Sequence, residues 1–78
     1  MKEAIKQYII ENIIREKVEI DLNISLLDEG IIDSLGYLKL ISFLEKQYDI
    51  SIDLGEIDIE NFDTIIKIAK FVENKLDK

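Results

Sequence analysis

The sequence has no cysteine, histidine, proline or tryptophan, and only three glycines in 78 residues. Without cysteine it can form no disulfide and do no thiolate chemistry. Without histidine as well, metal sites built on imidazole or thiolate are excluded, as are Ser-His-Asp and Cys-His catalysis. An enzyme made from this chain would have to work with carboxylates, lysines and hydroxyls alone. No proline, repeat or low-complexity linker divides the chain, so residues 1–78 read as one small domain. That size is near the lower limit for folding without staples. No apolar run approaches the ~20 residues a membrane span needs, and the opening MKEAIKQYII lacks a signal-peptide layout. These absences predict a cytoplasmic monomer with no stable membrane insertion.

Acids, isoleucine and leucine fill the chain instead. The net charge is -7, and it is uneven. Residues 19 to 63 hold twelve acids against two bases, Lys39 and Lys46, a net of -10 for the middle. Such a field repels nucleic acid and anionic membrane and favours basic protein partners by speeding encounter.

Hydrophobic periodicity predicts an all-α fold, a small four-helix bundle of three main helices and a short third one. The first helix is expected from Lys2 to Lys17, where Ile5, Ile9 and Ile13 recur every four residues and Ile10 and Ile14 widen the stripe. Residues 18 to 33 form a long connection, of which 18 to 26 alternate apolar and polar positions as a strand would. A lone strand has nothing to pair with in a helical chain, so this stretch reads as an extended loop whose aliphatics plug the bundle. Gly30 marks a turn within it. A second helix is expected from Ser34 to Tyr48, with Leu40, Ile41, Leu44 and Tyr48 inward and Leu35 and Leu38 on another side. Gly36 is expected to leave open space beside Ser34. A short helix or turn is expected over Glu56 to Asn61. In the last helix, Asp63 or Thr64 can cap, Ile65, Ile68, Ala69, Val72 and Leu76 form the buried face, and Lys75 and Lys78 sit near the negative end of the dipole.

The chemistry concentrates at GIIDSLG, residues 30 to 36. Either Asp33 caps the second helix and Ser34 is its first residue, or Ser34 caps. Position 37 is Tyr, so a reciprocal capping box is absent if Ser34 caps. A serine at a helix start is most often only a cap. Here it follows a turn and a long loop, so its hydroxyl should reach solvent, where the positive end of the helix favours an attached anion. No histidine or cysteine can activate it, and the GxSxG elbow is missing. Ser34 therefore reads as an acceptor modified by another protein.

These residues resemble the acyl and peptidyl carrier proteins, the phosphopantetheine-attachment domains. The matching stretches are Leu27-Asp28-Glu29-Gly30, the motif Asp33-Ser34-Leu35, the helix ending Phe43-Leu44-Glu45-Lys46-Gln47-Tyr48-Asp49-Ile50, and the entry Asn61-Phe62-Asp63-Thr64-Ile65. The Asp-Ser-Leu triplet alone is unspecific. Loop, motif, helix and acidic balance together span the chain and are specific. The resemblance implies a four-helix bundle, itself non-catalytic, in which a separate holo-carrier synthase attaches 4'-phosphopantetheine from coenzyme A to Ser34. Magnesium serves only within that synthase complex. It further implies that Asp33 helps synthase recognition, that Leu35, Leu38, Lys39 and Ser42 face partners, and that the arm carries acyl or aminoacyl thioesters. A loading ligase or acyltransferase and downstream acyl- or aminoacyl-processing enzymes would be the other partners.

Two departures refine the resemblance. Fatty-acid carriers commonly have an acid where this chain has Gly36, and their second helix is strongly acidic where this one carries Lys39, Ser42 and Lys46. Both point toward free-standing D-alanyl or aminoacyl carriers, or specialised polyketide and nonribosomal-peptide carriers, over housekeeping fatty-acid synthesis. Three other classes stay in view. One is an acidic interaction domain whose Ser34 is never modified. Another is a calcium module using Asp49, Asp53, Glu56, Asp58, Glu60 and Asp63, whose spacing does not match an EF-hand loop. The third, a carboxylate-pair hydrolase, needs a cleft that so small a bundle is unsuited to form.

Overall fold

In the computed structural model, which describes residues 1–77, four α-helices enclose one aliphatic core, and no strand forms among the described residues. The helices are α1 (Lys2–Tyr8), continued by a π-helical stretch (Ile9–Ile14), then α2 (Ser34–Tyr48), α3 (Ile59–Phe62) and α4 (Ile65–Leu76). Lys78, expected near the C-terminal end of the last helix, lies outside the described residues.

The first helix ends earlier than its periodicity suggests, at Ile14 rather than Lys17. Asn12 Nδ2 donates to the carbonyl of Tyr8, competing for the acceptor an α-helical amide would use. The ladder widens, and Arg15, at φ 62°, closes it by donating its amide to the Ile10 carbonyl. Ile5 and Ile9 are fully buried, while Ile10, Ile13 and Ile14 are half-buried against the core.

The long connection is an irregular loop, as expected, and is anchored at a few points. Ile20, Leu26 and Ile32 are buried, whereas Val18 and Leu27, expected to plug the bundle, are exposed. The Leu26 amide donates to the Asp63 carbonyl at 2.7 Å, and the Leu26 carbonyl accepts from Ile31 and Ile32 at 2.9 and 3.3 Å. Ser25 donates its hydroxyl to Asp63 Oδ1 at 2.6 Å. The Leu22 carbonyl accepts from the Ile66 amide. The loop is thereby tied to the junction of α3 and α4. Gly30 turns the chain at φ 66°, where a side chain would be strained.

On α2, Leu40, Ile41 and Leu44 face the core and Tyr48 is half-buried. The region after it divides differently from the expected single segment over residues 56 to 61. A short 3₁₀ turn covers Leu54–Glu56, and α3 then starts at Ile59, capped by Asp58, whose side chain accepts from the Asn61 amide. Glu56 is drawn out of the helix by other partners: it accepts from the Asp53 amide and pairs with Lys75 at 2.7 Å. Thr64, and not Asp63, caps α4 by accepting from the Lys67 amide. Along α4, Ile65, Ile68, Ala69 and Val72 are buried, but Leu76, read as part of the same face, is exposed in the last turn, past the packed neighbours.

Candidate functional site

The motif at residues 33 to 35 sits where the loop enters α2. Asp33 has an extended backbone and is the N-cap: its Oδ1 accepts from the Gly36 amide at 2.8 Å. This settles the choice left open by the sequence, and Ser34 becomes the first helical residue. The Asp33 carbonyl accepts from Tyr37 at 2.9 Å. The amides of Ser34 and Leu35 precede the first intrahelical bond, as at any helix start. Ser34 is exposed, and its hydroxyl has no protein partner among the described residues.

Gly36 does not stand beside open space. It is buried, and a methyl group built on it would lie 2.8 Å from Ile32 Cγ2 and 3.2 Å from Ile13 Cγ2. The small residue is filled against by two isoleucines, one from the approach loop and one from the π-helical stretch. Periodicity reports which way a residue faces, and cannot report what has moved in from across the bundle.

Next to Ser34 lies an open groove of about 450 Å³. Tyr37, Ile41 and Phe62 line its inner side, and Leu38, Leu54 and Ile59 its rim. Tyr37 fixes the width of this groove by donating its hydroxyl to the Phe62 carbonyl at 2.8 Å, which ties α2 to the end of α3. Burial, helped by the charge of Asp63, pushes the Tyr37 phenol up to about 12. The phenol therefore stays protonated and keeps donating throughout the physiological range.

Exposed apolar side chains surround the serine. Leu35 is 70% exposed, Leu38 59%, Leu54 83% and Ile59 63%. Leu35 and Leu38 were expected here. Leu54 and Ile59 were not, although the sequence carries a signal. Each is a lone aliphatic set among acids and glycine (Asp53-Leu54-Gly55-Glu56 and Asp58-Ile59-Glu60), which suits an exposed anchor better than a core position. Lys39 and Ser42, expected at the partner face with Leu35 and Leu38, are also exposed. With Tyr8, Phe43, Lys46 and Leu38 they line a second groove of about 580 Å³ toward α1. Its floor is the stacked pair Tyr8 and Phe43, with centroids 4.2 Å apart. Leu38 thus borders both grooves, and Leu35, Leu38, Lys39 and Ser42, spaced i, i+3, i+4 and i+7, share one exposed face of α2. Among the described residues, no three acids are gathered into a metal-ligating group. None of the helices there is long and apolar enough to cross a membrane.

The site fits a phosphodiester-linked group on three counts. The hydroxyl is accessible, it stands at the positive end of a 15-residue helix, and an open apolar groove runs beside it. Comparison with known proteins gives the same direction. D-alanyl carrier proteins are among the relatives. That of Lactococcus lactis subsp. cremoris (strain MG1363) is 43% identical over 58 residues, covering 74% of this chain and 73% of the relative. D-alanyl carrier protein 1 of Lactiplantibacillus plantarum is 35% identical over 66 residues, covering 85% and 82%. In the crystal structure of an FAD-dependent dehydrogenase, one chain superposes with a TM-score of 0.80 at 28% identity, covering 87% of this chain and 97% of that one. A profile of the family described as phosphopantetheine attachment site matches residues 3–72. With that match running from α1 into α4 and carrier proteins as its relatives, the chain belongs to the phosphopantetheine attachment site family and is a carrier protein.

Proposed function

We propose that Ser34 is the attachment point for 4'-phosphopantetheine and that the chain carries D-alanine as a thioester on that arm, in the cytoplasm, between a loading ligase and a downstream acyl-transferring enzyme. One observation carries this reading: Ser34 is an exposed first helical residue, held by the Asp33 cap, in a chain of this family. In the attachment step, catalysed by a separate synthase with magnesium, the Ser34 oxygen forms a bond to the phosphorus that carries the pantetheine of coenzyme A. The pyrophosphate bond breaks, adenosine 3',5'-bisphosphate leaves, and the hydroxyl proton passes to a base of the synthase.

When bound, the arm supplies a terminal thiol that can hold an acyl group. The chain's own residues do the rest. The cap keeps the serine at the helix mouth, and the free amides of the first turn together with the helix dipole stabilise the added negative charge. Asp33 presents a carboxylate to the synthase. Leu35, Leu38, Leu54 and Ile59 offer a small apolar surface to visiting enzymes. Such a patch suits brief encounters, with charge steering the approach. A tethered cargo is kept at high effective concentration near each partner. The names of the relatives support D-alanine as the cargo.

The test is to incubate the chain with coenzyme A and a permissive carrier synthase and then weigh it. Wild type should gain the mass of one phosphopantetheinyl group, and Ser34→Ala should not. An unmodified wild type would leave the chain as an acidic interaction domain. Loading of the modified chain by a D-alanine-activating ligase should exceed loading with L-alanine or a fatty acid. A second reading, in which the cargo is presented to an FAD-dependent dehydrogenase, is favoured by the structural likeness alone. It predicts flavin reduction when such an enzyme meets the loaded chain.

A further inference from the structure

We propose that Gly36 is a positioning residue for Ser34: the absence of a side chain at 36 seats the Ile32 methyl under the helix start and so holds the Asp33 cap that orients the hydroxyl. The proposal rests on Ser34 being the attachment point.

Three close approaches converge on this position. A Cβ at 36 would meet Ile32 Cγ2 at 2.8 Å, Ile13 Cγ2 at 3.2 Å and Asp33 Oδ1 at 3.4 Å. The first is too short to be tolerated without movement. Ile32 cannot yield cheaply. It is buried, the clashing methyl is borne directly on its Cβ, and its amide is held by the Leu26 carbonyl. That carbonyl also accepts from Ile31, and Leu26 is in turn bonded to Asp63. The approach to the motif is therefore fixed from behind. On the other side, Ile13 comes from the π-helical stretch, packed against the core.

A side chain at 36 would therefore be relieved most easily by displacement of the first turn of α2 itself. That turn contains the Gly36 amide, whose bond to Asp33 Oδ1 is the cap. Lifting the amide from the carboxylate loosens the one side-chain contact that fixes the backbone on either side of Ser34. An otherwise ordinary helix glycine would behave in the opposite way. Replacing it with alanine lowers the entropy of the unfolded chain and raises helix propensity, so the variant would be more stable and would react unchanged.

The experiment uses a cycle of variants on the full chain: wild type, Gly36→Ala, Ile32→Leu and the pair together. Ile32→Leu removes the β-branch methyl that faces position 36 while conserving side-chain volume. Two quantities are measured for each folded variant: the kinetics of modification by a carrier synthase with coenzyme A, and hydrogen exchange of the residue 36 amide. Misplacing a reacting group by about 1 Å can cost ~10²-fold in rate. A fall of about tenfold in kcat, with KM within about threefold, is expected for Gly36→Ala, because the leucines that meet the partner are untouched. Its residue 36 amide should exchange faster. Ile32→Leu alone should be close to wild type, and the pair should regain both rate and protection. The proposal is overturned if Gly36→Ala is modified at the wild-type rate with its amide still protected, or if the pair is no better than Gly36→Ala. Should Gly36→Ala fail to fold, recovery of a folded, modifiable chain in the pair supports the steric account, and an unfolded pair overturns it. An unmodified wild type would fail the attachment reading itself. The exchange arm would then still decide whether the methyl seat holds the cap.

Discussion

Removing the hydroxyl of Tyr37 tests the clamp between α2 and α3. In Tyr37→Phe the ring remains in place, so packing along the groove is kept. The change is confined to one hydrogen bond of 2.8 Å to the Phe62 carbonyl. A neutral hydrogen bond contributes about 0.5–1.5 kcal/mol net, and leaving a buried acceptor without a donor adds to that cost. Phe62 is itself buried, so a total of about 1–2 kcal/mol is expected. For a domain of this size each kcal/mol lowers Tm by about 4–8 °C, and at a urea dependence of about 1 kcal/mol per molar the unfolding midpoint falls by about 1–2 M. A pH series adds a second signature. The phenol's value is raised in the folded state from 10.0 to about 12 by burial and by Asp63, so the protonated form is favoured by folding. The stability this provides is fully present below pH 10 and is lost as pH rises from 10 to about 12. Tyr48, raised by burial, adds to the alkaline loss in the same direction. Urea titrations of wild type and Tyr37→Phe at neutral pH and across the alkaline range would decide. An unchanged midpoint at neutral pH would refute the clamp, and an alkaline loss as steep in the variant as in wild type would refute the assignment to Tyr37.

Two further substitutions separate roles that the motif combines. Asp33→Asn keeps a capping oxygen while Asp33→Ala removes it, so thermal unfolding should show a loss of about 1 kcal/mol for alanine and little for asparagine. If the charge serves the synthase, both variants should be modified more slowly, as read by mass spectrometry over time. Leu26→Ala removes a fully buried side chain and should cost about 2–5 kcal/mol by urea unfolding. Because its backbone holds the approach to the motif, amide exchange at Ile31 and Ile32 should accelerate as well.

What could be read from the sequence depended on whether one helix face or two distant segments decided the outcome. The bounds of α2, the buried faces of α2 and α4 and the exposed position of Ser34 follow from periodicity and capping residues, which are local. The end of the first helix was misread because Ile13 and Ile14 keep the apolar period while Asn12 diverts the Tyr8 carbonyl. The short segment before α4 was shifted because Glu56 answers to Asp53 and to Lys75, nineteen positions away, rather than to the turn it was placed in. Asp63 looked as good a cap as Thr64. Its carboxylate is taken by Ser25 from the long loop, which no window around residue 63 can reveal. Gly36 is the sharpest case, since both isoleucines that fill its space come from other elements.

The anchoring of Leu26 by the Asp63 carbonyl and of Tyr37 by the Phe62 carbonyl has a consequence for biosynthesis. Ser34 is translated before Phe62 and Asp63, the residues whose carbonyls shape its surroundings. A nascent chain halted on the ribosome before Phe62 and Asp63 emerge has the motif but not its scaffold. On the attachment proposed for Ser34, a synthase that reads this scaffold would act only after Phe62 and Asp63 have emerged.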